Sequence, residues 1–111
     1  MKLLTALILG ITSITAQAGE MINVPTDTKA SYELLMKQNI KGNLLVVTKR
    51  VGPSGTSFAA REIDCQNGTF RYLSEGDSMA AVKANVRDTE RMAILTRGSI
   101  STYVAIHACK G

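Results

Sequence analysis

Histidine and cysteine are scarce in this chain, and their scarcity limits the chemistry that it can support. The 111 residues include one histidine, His107, and two cysteines, Cys65 and Cys109. A structural metal site takes about four such ligands, so the sequence predicts no metal site and no cofactor. His107 has no nucleophile motif beside it, and we interpret it as a residue at the edge of the core instead of a general base. We therefore predict that the protein is not an enzyme.

Clustered carboxylates are also few. Glu75 and Asp77, in the segment "SEGDS", are interpreted as turn residues that follow a strand. A calcium loop needs more oxygen ligands at fixed spacing than this segment offers. The chain also lacks a phosphate-binding loop, since "GPSG" at 52–55 has neither the lysine nor the strand-loop-helix setting of such a site.

The one sustained apolar run lies at the start of the chain. Residues 3–14 carry no charge, Lys2 precedes them, and the small-residue triplet Ala-Gln-Ala follows at 16–18. This order is typical of a secretory signal peptide, with cleavage after Ala18. The run is shorter than the roughly 20 residues that span a membrane. An uncleaved anchor or a buried N-terminal helix is the alternative.

Removal of 18 residues from the chain of 111 leaves 93, residues 19–111, which is the size of a single small domain. The formal net charge falls from +4 to +3 with the loss of Lys2. Such a mild positive charge does not indicate a nucleic-acid partner. No cysteine directly follows Ala18, so an N-terminal lipid anchor is excluded. We predict a bacterial protein located in the periplasm or secreted, with no membrane span in the mature chain.

The two cysteines are predicted to form a disulfide. An exported chain enters an oxidising compartment, where an even number of cysteines is typical of disulfide bridges. Cys65 and Cys109 close a loop of 45 residues, counted inclusively from the sequence. The chain-entropy model gives such a bridge about 4 kcal/mol of stabilisation. That is a large fraction of the roughly 5–10 kcal/mol expected for the whole domain.

The segment "EIDCQNGTFRYL", residues 62–73, indicates a β-hairpin. Asn67-Gly68 is the preferred dipeptide of a two-residue type I′ turn. That turn pairs Cys65 with Phe70 and Ile63 with Tyr72 on one buried face of the hairpin. It also places Asp64 opposite Arg71 as a cross-strand ion pair.

Three antiparallel strands are predicted in series, over 43–51, 56–66 and 69–74. The second connection is the turn at Asn67-Gly68, and the first is the Gly-Pro-Ser-Gly turn cluster. The secondary structure of residues 29–40 is left open between helix and strand. Apolar residues at helical spacing favour a helix there, whereas a hairpin turn at 41–43 would make residues 32–38 a fourth strand, the interpretation that we favour.

A helix is predicted at the end of the chain, with Ser99 as its N-cap and Lys110 near its C terminus. Cys109 lies in its last turn, so the disulfide would hold this helix across the apolar face of the sheet. A further short helix is indicated after Ser78. The fold class is therefore α+β: a small antiparallel meander of three to four strands, with a C-terminal helix tied to one face.

Arginine supplies most of the basic side chains, and its planar fork suits carboxylates, sulfates and phosphates. The candidate binding residues are Lys49, Arg50 and Arg61. The alternative is that these side chains are an ordinary solvated surface.

The strand "REIDCQNGTFRYL" and the terminal segment "GSISTYVAIHAC" resemble the surface-adhesin protein E family of small exported bacterial domains. The resemblance covers the second half of the mature chain. The positions that carry it are Asp64, Cys65, Phe70, Tyr72, Gly98, Ser99 and Cys109. It implies a sheet-plus-helix fold with a bridge and, from the best-known members, binding to host extracellular proteins. It assigns no binding residue, and the cysteine that anchors adhesin lipoproteins is missing here.

Together these patterns predict an exported bacterial domain that binds a protein or an anionic surface without catalysing a reaction. The alternatives are a periplasmic accessory or inhibitor of an envelope enzyme or secretion machine, and a small hydrolase whose site the sequence does not reveal. The oligomeric state is left open.

Overall fold

The structure, a computed structural model, describes residues 19–88 and 90–110. The predicted signal peptide, residues 1–18, lies outside the described residues. One antiparallel sheet dominates the fold, and its six strands follow the order of the sequence. The strands are β1 (Glu20–Ile22), β2 (Ser31–Ile40), β3 (Asn43–Gly52), β4 (Gly55–Asp64), β5 (Thr69–Gly76) and β6 (Ala93–Ile94). The helices are α1 (Met79–Ala84), after β5, and α2 (Ile100–Ala108), after β6.

The predicted antiparallel meander with a C-terminal helix is confirmed, but the predicted number of strands is too low. β1 has three residues and β6 has two. Strands this short carry no alternation that a sequence pattern can detect. They form at the edges because a neighbouring long strand offers them its free backbone groups.

Residues 31–40 form a strand, which confirms the interpretation that the sequence slightly favoured. Lys41 and Gly42 both have positive φ, 51° and 88°, and Ile40 pairs with Asn43 across them. This is the geometry of a two-residue hairpin turn. Tyr32 and Leu34, two residues apart on the strand, are both buried in the core. Their burial on one face of the sheet favours the strand over the helix that the spacing of the apolar residues would allow.

The predicted register of the β4–β5 hairpin is wrong. Asp64 pairs with Thr69, so the loop has four residues, and Ile63 rather than Cys65 faces Phe70. The side chain of Asp64 accepts hydrogen bonds from the backbone nitrogens of Gln66 and Asn67, each at 3.1 Å.

These bonds shape a wider turn, in which Gly68 has a φ of 67° while Asn67 stays outside the positive-φ region. A type I′ turn needs positive φ at both central positions, so it does not form here. Asp64 therefore does not pair with Arg71. Glu62 lies opposite Arg71 instead, and the two form an ion pair of 2.7 Å.

The helix α2 packs on one face of the sheet, which we call the helix face. Ser99 caps α2 by accepting a hydrogen bond from the Thr102 nitrogen, as predicted. The core of this face is formed by Ile22, Val24, Tyr32, Leu34, Val46, Ile63, Val104, Ala105 and Ala108.

The predicted disulfide between Cys65 and Cys109 is present, with their Cα atoms 5.8 Å apart. Cys65 lies in the β4–β5 loop and not on the strand as predicted. Cys109 is the C-cap of α2. The bridge therefore fixes the end of the helix to the tip of the hairpin.

The opposite face of the sheet is covered at one end by α1. Ser78 caps α1 through the Ala81 nitrogen, and Val82 is buried against Val47 and Ala60. The hydroxyl of Ser74 donates to the Val82 carbonyl oxygen at 2.6 Å. Among the described residues, no helix is long and apolar enough to cross a membrane.

Candidate functional site

A groove of about 460 Å³ opens on the helix face, where α2 begins. The helix starts at Ile100 and leaves the far part of this face uncovered. Ser57 and Ala59 lie on the floor of the groove, and their small side chains leave space above the sheet. The polar groups that line it include Arg50, Arg61, Tyr32, Tyr72, Glu75 and Asp77.

Arg61 lies in the buried part of the groove, with 4% of its surface exposed. Its Nε donates to Ser101 Oγ at 3.0 Å, Nη1 donates to Thr48 Oγ1 at 2.9 Å, and Nη2 donates to the Tyr72 hydroxyl at 3.4 Å. None of the ion pairs among residues 19–88 and 90–110 includes Arg61. The hydroxyl groups accept hydrogen bonds from all three of its nitrogens. Within the described part of the chain, its positive charge has no counter-charge.

Arg50, at the other end of the groove, has its charge partly compensated. Its Nη2 lies 3.1 Å from Asp27 Oδ2, and its Nε donates to the Tyr32 hydroxyl at 3.0 Å. The Tyr32 hydroxyl donates to the same carboxylate at 2.6 Å. Hydrogen bonds from Tyr32 and Arg50 hold the pKa of Asp27 below its usual range. Burial and the nearby Asp27 raise the pKa of Tyr32, so Tyr32 stays a neutral donor. The Arg50 side chain is 31% exposed.

The β5 side of the groove carries carboxylates instead. Glu75 lies opposite Ala59 at the end of β5, and Asp77 follows one residue beyond that strand. Both are exposed, and neither takes part in an ion pair within the described part of the chain. The groove is therefore cationic over β3 and β4 and anionic at the end of β5.

The three candidate binding residues from the sequence do not form one patch. Arg50 and Arg61 both line the groove. Lys49 lies between Thr48 and Arg50 on β3, so its side chain points to the opposite face, where it is half-buried next to Glu33 and Phe58. Arg61 is buried, so it is not part of a solvated surface.

Sequence reasoning missed the hydroxyl partners of Arg61. Thr48, Tyr72 and Ser101 come from β3, β5 and α2, and only the register of the sheet and the position of the helix bring them together. One signal was available. Arg61 has the same strand parity as Ile63, which the pattern had already assigned to the buried face.

His107 lies outside the groove, on the last turn of α2. Its Nε2 is 2.8 Å from Oε1 of Glu20 on β1, so the pair connects the helix to the first strand. Among the described residues, no group of three or more histidine, cysteine, aspartate or glutamate side chains is placed to hold a metal ion.

No protein-family model, curated protein or solved structure matches this chain. The resemblance to the surface-adhesin protein E family therefore stays a prediction.

Proposed function

We propose that this chain is an exported, non-enzymatic binding domain, and that its groove binds a carboxylate group of a peptide or protein partner. The observation that carries this proposal is the burial of Arg61 with hydroxyl partners and no counter-charge among the described residues. Burying a cation without an anion carries a desolvation penalty of several kcal/mol. A ligand carboxylate in the groove would supply the missing negative charge.

Arginine favours a carboxylate for geometric reasons as well. The planar guanidinium presents paired donors that match the two oxygens of a carboxylate. Arg50 is partly exposed and lines the same groove, so it offers a second cation to the same ligand. The hydroxyl groups of Tyr32 and Tyr72 add neutral hydrogen-bonding groups around these two cations.

A peptide or protein partner fits this site better than an extended anionic surface. Arg61 lies at the buried base of a concave groove, where a flat surface cannot reach it. Glu75 and Asp77 stand at one end of the groove, and their carboxylates would repel a polyanion. A peptide segment is narrow enough to enter and can present one carboxylate to the arginines.

The test is an NMR titration of the purified ¹⁵N-labelled protein with N-acetyl-triglycine, which carries one carboxylate and no ammonium group. N-acetyl-triglycine amide is the uncharged control. We expect the acid to shift signals of groove residues and the amide to have no such effect. Arg50→Gln should lower the affinity for N-acetyl-triglycine about tenfold, because a charge-assisted hydrogen bond is lost.

Lys49→Gln is the matched variant, since it removes a neighbouring charge from the opposite face of the same strand. It should leave the affinity for the acid unchanged. Equal weakening by Lys49→Gln and Arg50→Gln, or the absence of any shift in groove signals, would overturn the proposal.

A further inference from the structure

We infer that the groove selects a short peptide with both ends free, binding its carboxylate at the arginines and its ammonium group at Glu75 and Asp77. This inference rests on the proposed function and names the ligand of the same groove. It adds a second recognition element, the acidic end of the groove, to the arginines already described.

The acidic end has room for a cation from the ligand. Glu75 and Asp77 both line the groove, and neither forms an ion pair with another described residue. Gly76 lies between them and exposes no side chain to the ligand. A cationic group that entered here would meet two carboxylates with no competing partner.

The spacing of the two ends indicates the length of the ligand. Arg50 lies on β3 and Arg61 lies on β4, whereas Glu75 lies on β5, two strands away from Arg50. Neighbouring strands are about 4.8 Å apart, so Arg50 and Glu75 project from strands that are about 10 Å apart. An extended peptide spans about 3.5 Å per residue. A tripeptide therefore places its terminal charges at both ends of the groove.

The groove is also large enough for such a ligand. Its volume of about 460 Å³ falls within the range of roughly 300–1,000 Å³ typical of small-molecule sites. Ser57 and Ala59 on the floor leave space for the peptide backbone. Ser57 also offers a hydroxyl group near the centre of the site.

A competing explanation is that Glu75 serves Arg61 as a distant counter-charge within the chain. The two explanations predict different effects of Glu75→Gln. If Glu75 binds the ammonium group of a ligand, the substitution lowers the affinity only for ligands that carry this group. If Glu75 compensates Arg61, the substitution strengthens the binding of every carboxylate, with or without an ammonium group.

The experiment compares three probes of equal length by NMR titration of the purified protein: triglycine, N-acetyl-triglycine and triglycine amide. We expect triglycine to bind about tenfold more tightly than either singly charged analogue, because each analogue loses one charge-assisted contact. Glu75→Gln should reduce the preference for triglycine over N-acetyl-triglycine while leaving the affinity for N-acetyl-triglycine unchanged. Glu33→Gln, on the opposite face of β2, should preserve the preference.

The other outcomes distinguish failure of this inference from failure of the proposed carboxylate site. Equal binding of triglycine and N-acetyl-triglycine sinks this inference but leaves the proposed carboxylate site standing. Failure of all three probes to bind overturns both. Tighter binding of both acids to the Glu75→Gln protein assigns Glu75 to Arg61 and overturns the inference alone.

Discussion

The guanidinium carbon of Arg61 lies 4.9 Å from the centre of the Tyr72 ring, directly across the β4–β5 pair. This stacking fixes the plane of the guanidinium while its nitrogens donate to hydroxyl groups from β3 and α2. Because the aromatic ring supplies only a partial negative field, it attracts the cation without neutralising it. The ring and the hydroxyl groups thus hold the Arg61 guanidinium in one orientation.

The first prediction concerns the stability of the chain without this charge. Arg61→Met keeps most of the side-chain volume and removes the buried cation. We expect the free energy of unfolding to stay unchanged or to rise by about 1 kcal/mol, since replacing buried charge by a packed apolar group is often neutral or stabilising. Tyr72 and Ser101 can still bond to each other, at 3.3 Å. Urea denaturation measures the change, and binding of N-acetyl-triglycine should be lost.

Arg61→Glu is the contrasting variant, because it buries an anion among the same groups. It should lower the free energy of unfolding by about 3 kcal/mol or more. A loss above about 2 kcal/mol in Arg61→Met would show instead that Arg61 mainly stabilises the fold.

The three strands β3, β4 and β5, both helix caps and the disulfide followed from local patterns in the sequence. Ser78 and Ser99 begin their helices where a hydroxyl residue precedes an apolar run, and this signal depends on a few neighbouring residues. The cysteine pair needed only the prediction of export. Features set by short-range chemistry were therefore predictable.

The register of the β4–β5 hairpin was not predictable from its turn dipeptide. Asn67-Gly68 favours a two-residue turn, but the Asp64 carboxylate binds the Gln66 and Asn67 nitrogens and widens the loop. The pairing then follows from Ile63 and Phe70 packing under α2. Competition between these contacts decides the register, so the turn propensity of Asn67-Gly68 alone does not predict it.

The groove depends on still longer-range relations. Arg50 and Arg61 were selected for their charge, whereas the grouping with Tyr32, Tyr72 and Glu75 needs four strands in register. The same register separates Lys49 from Arg50.

The second prediction concerns acid stability. Hydrogen bonds from the Asn43 side chain and from Arg71 lower the pKa of Glu62 below its usual value of 4.5. A carboxyl group with a depressed pKa in the folded state contributes stability above about pH 4.5, which is lost as the pH falls through the folded-state pKa. Glu62→Gln should lower the free energy of unfolding by about 1 kcal/mol at pH 7.

Thermal unfolding of both proteins between pH 7 and pH 3 measures this effect. The two curves should converge at the acidic end. Protonation removes the negative charge of Glu62 from the original chain there, and the substitution has already removed it from the variant. A constant difference over the whole range would contradict the assignment to the Glu62 charge.

The third prediction concerns the bond between Cys65 and Cys109. The double substitution Cys65→Ser, Cys109→Ser should lower the free energy of unfolding by about 4 kcal/mol, since the bridge closes a long loop in the unfolded chain. Urea denaturation with and without reductant measures it. Reductant should destabilise the original protein and leave the double variant unchanged. Mass spectrometry of the native protein should find no free thiol, and two free thiols would contradict the bridge.

The fourth prediction concerns Gly19, whose nitrogen donates to Glu33 Oε2 at 3.0 Å. A Cβ atom at this position would lie 2.5 Å from the Glu33 side chain and from the Leu34 carbonyl oxygen, so the position is closely packed. In a polypeptide that begins at Gly19, as predicted cleavage would produce, this nitrogen is an ammonium group. Folding would then create an ion pair with Glu33.

We expect the free-amine polypeptide to be more stable than its N-acetylated form by about 0.5 kcal/mol at pH 6 and low salt. A cation that gains a partner on folding contributes stability below its ordinary pKa, about 7.7 for an α-amino group, and loses it as the pH rises. The difference in melting temperature should therefore vanish above about pH 9. Glu33→Gln should remove it at every pH, because acetylation keeps the N–H donor and changes only the charge. A difference that survives in Glu33→Gln would place the effect elsewhere in the chain.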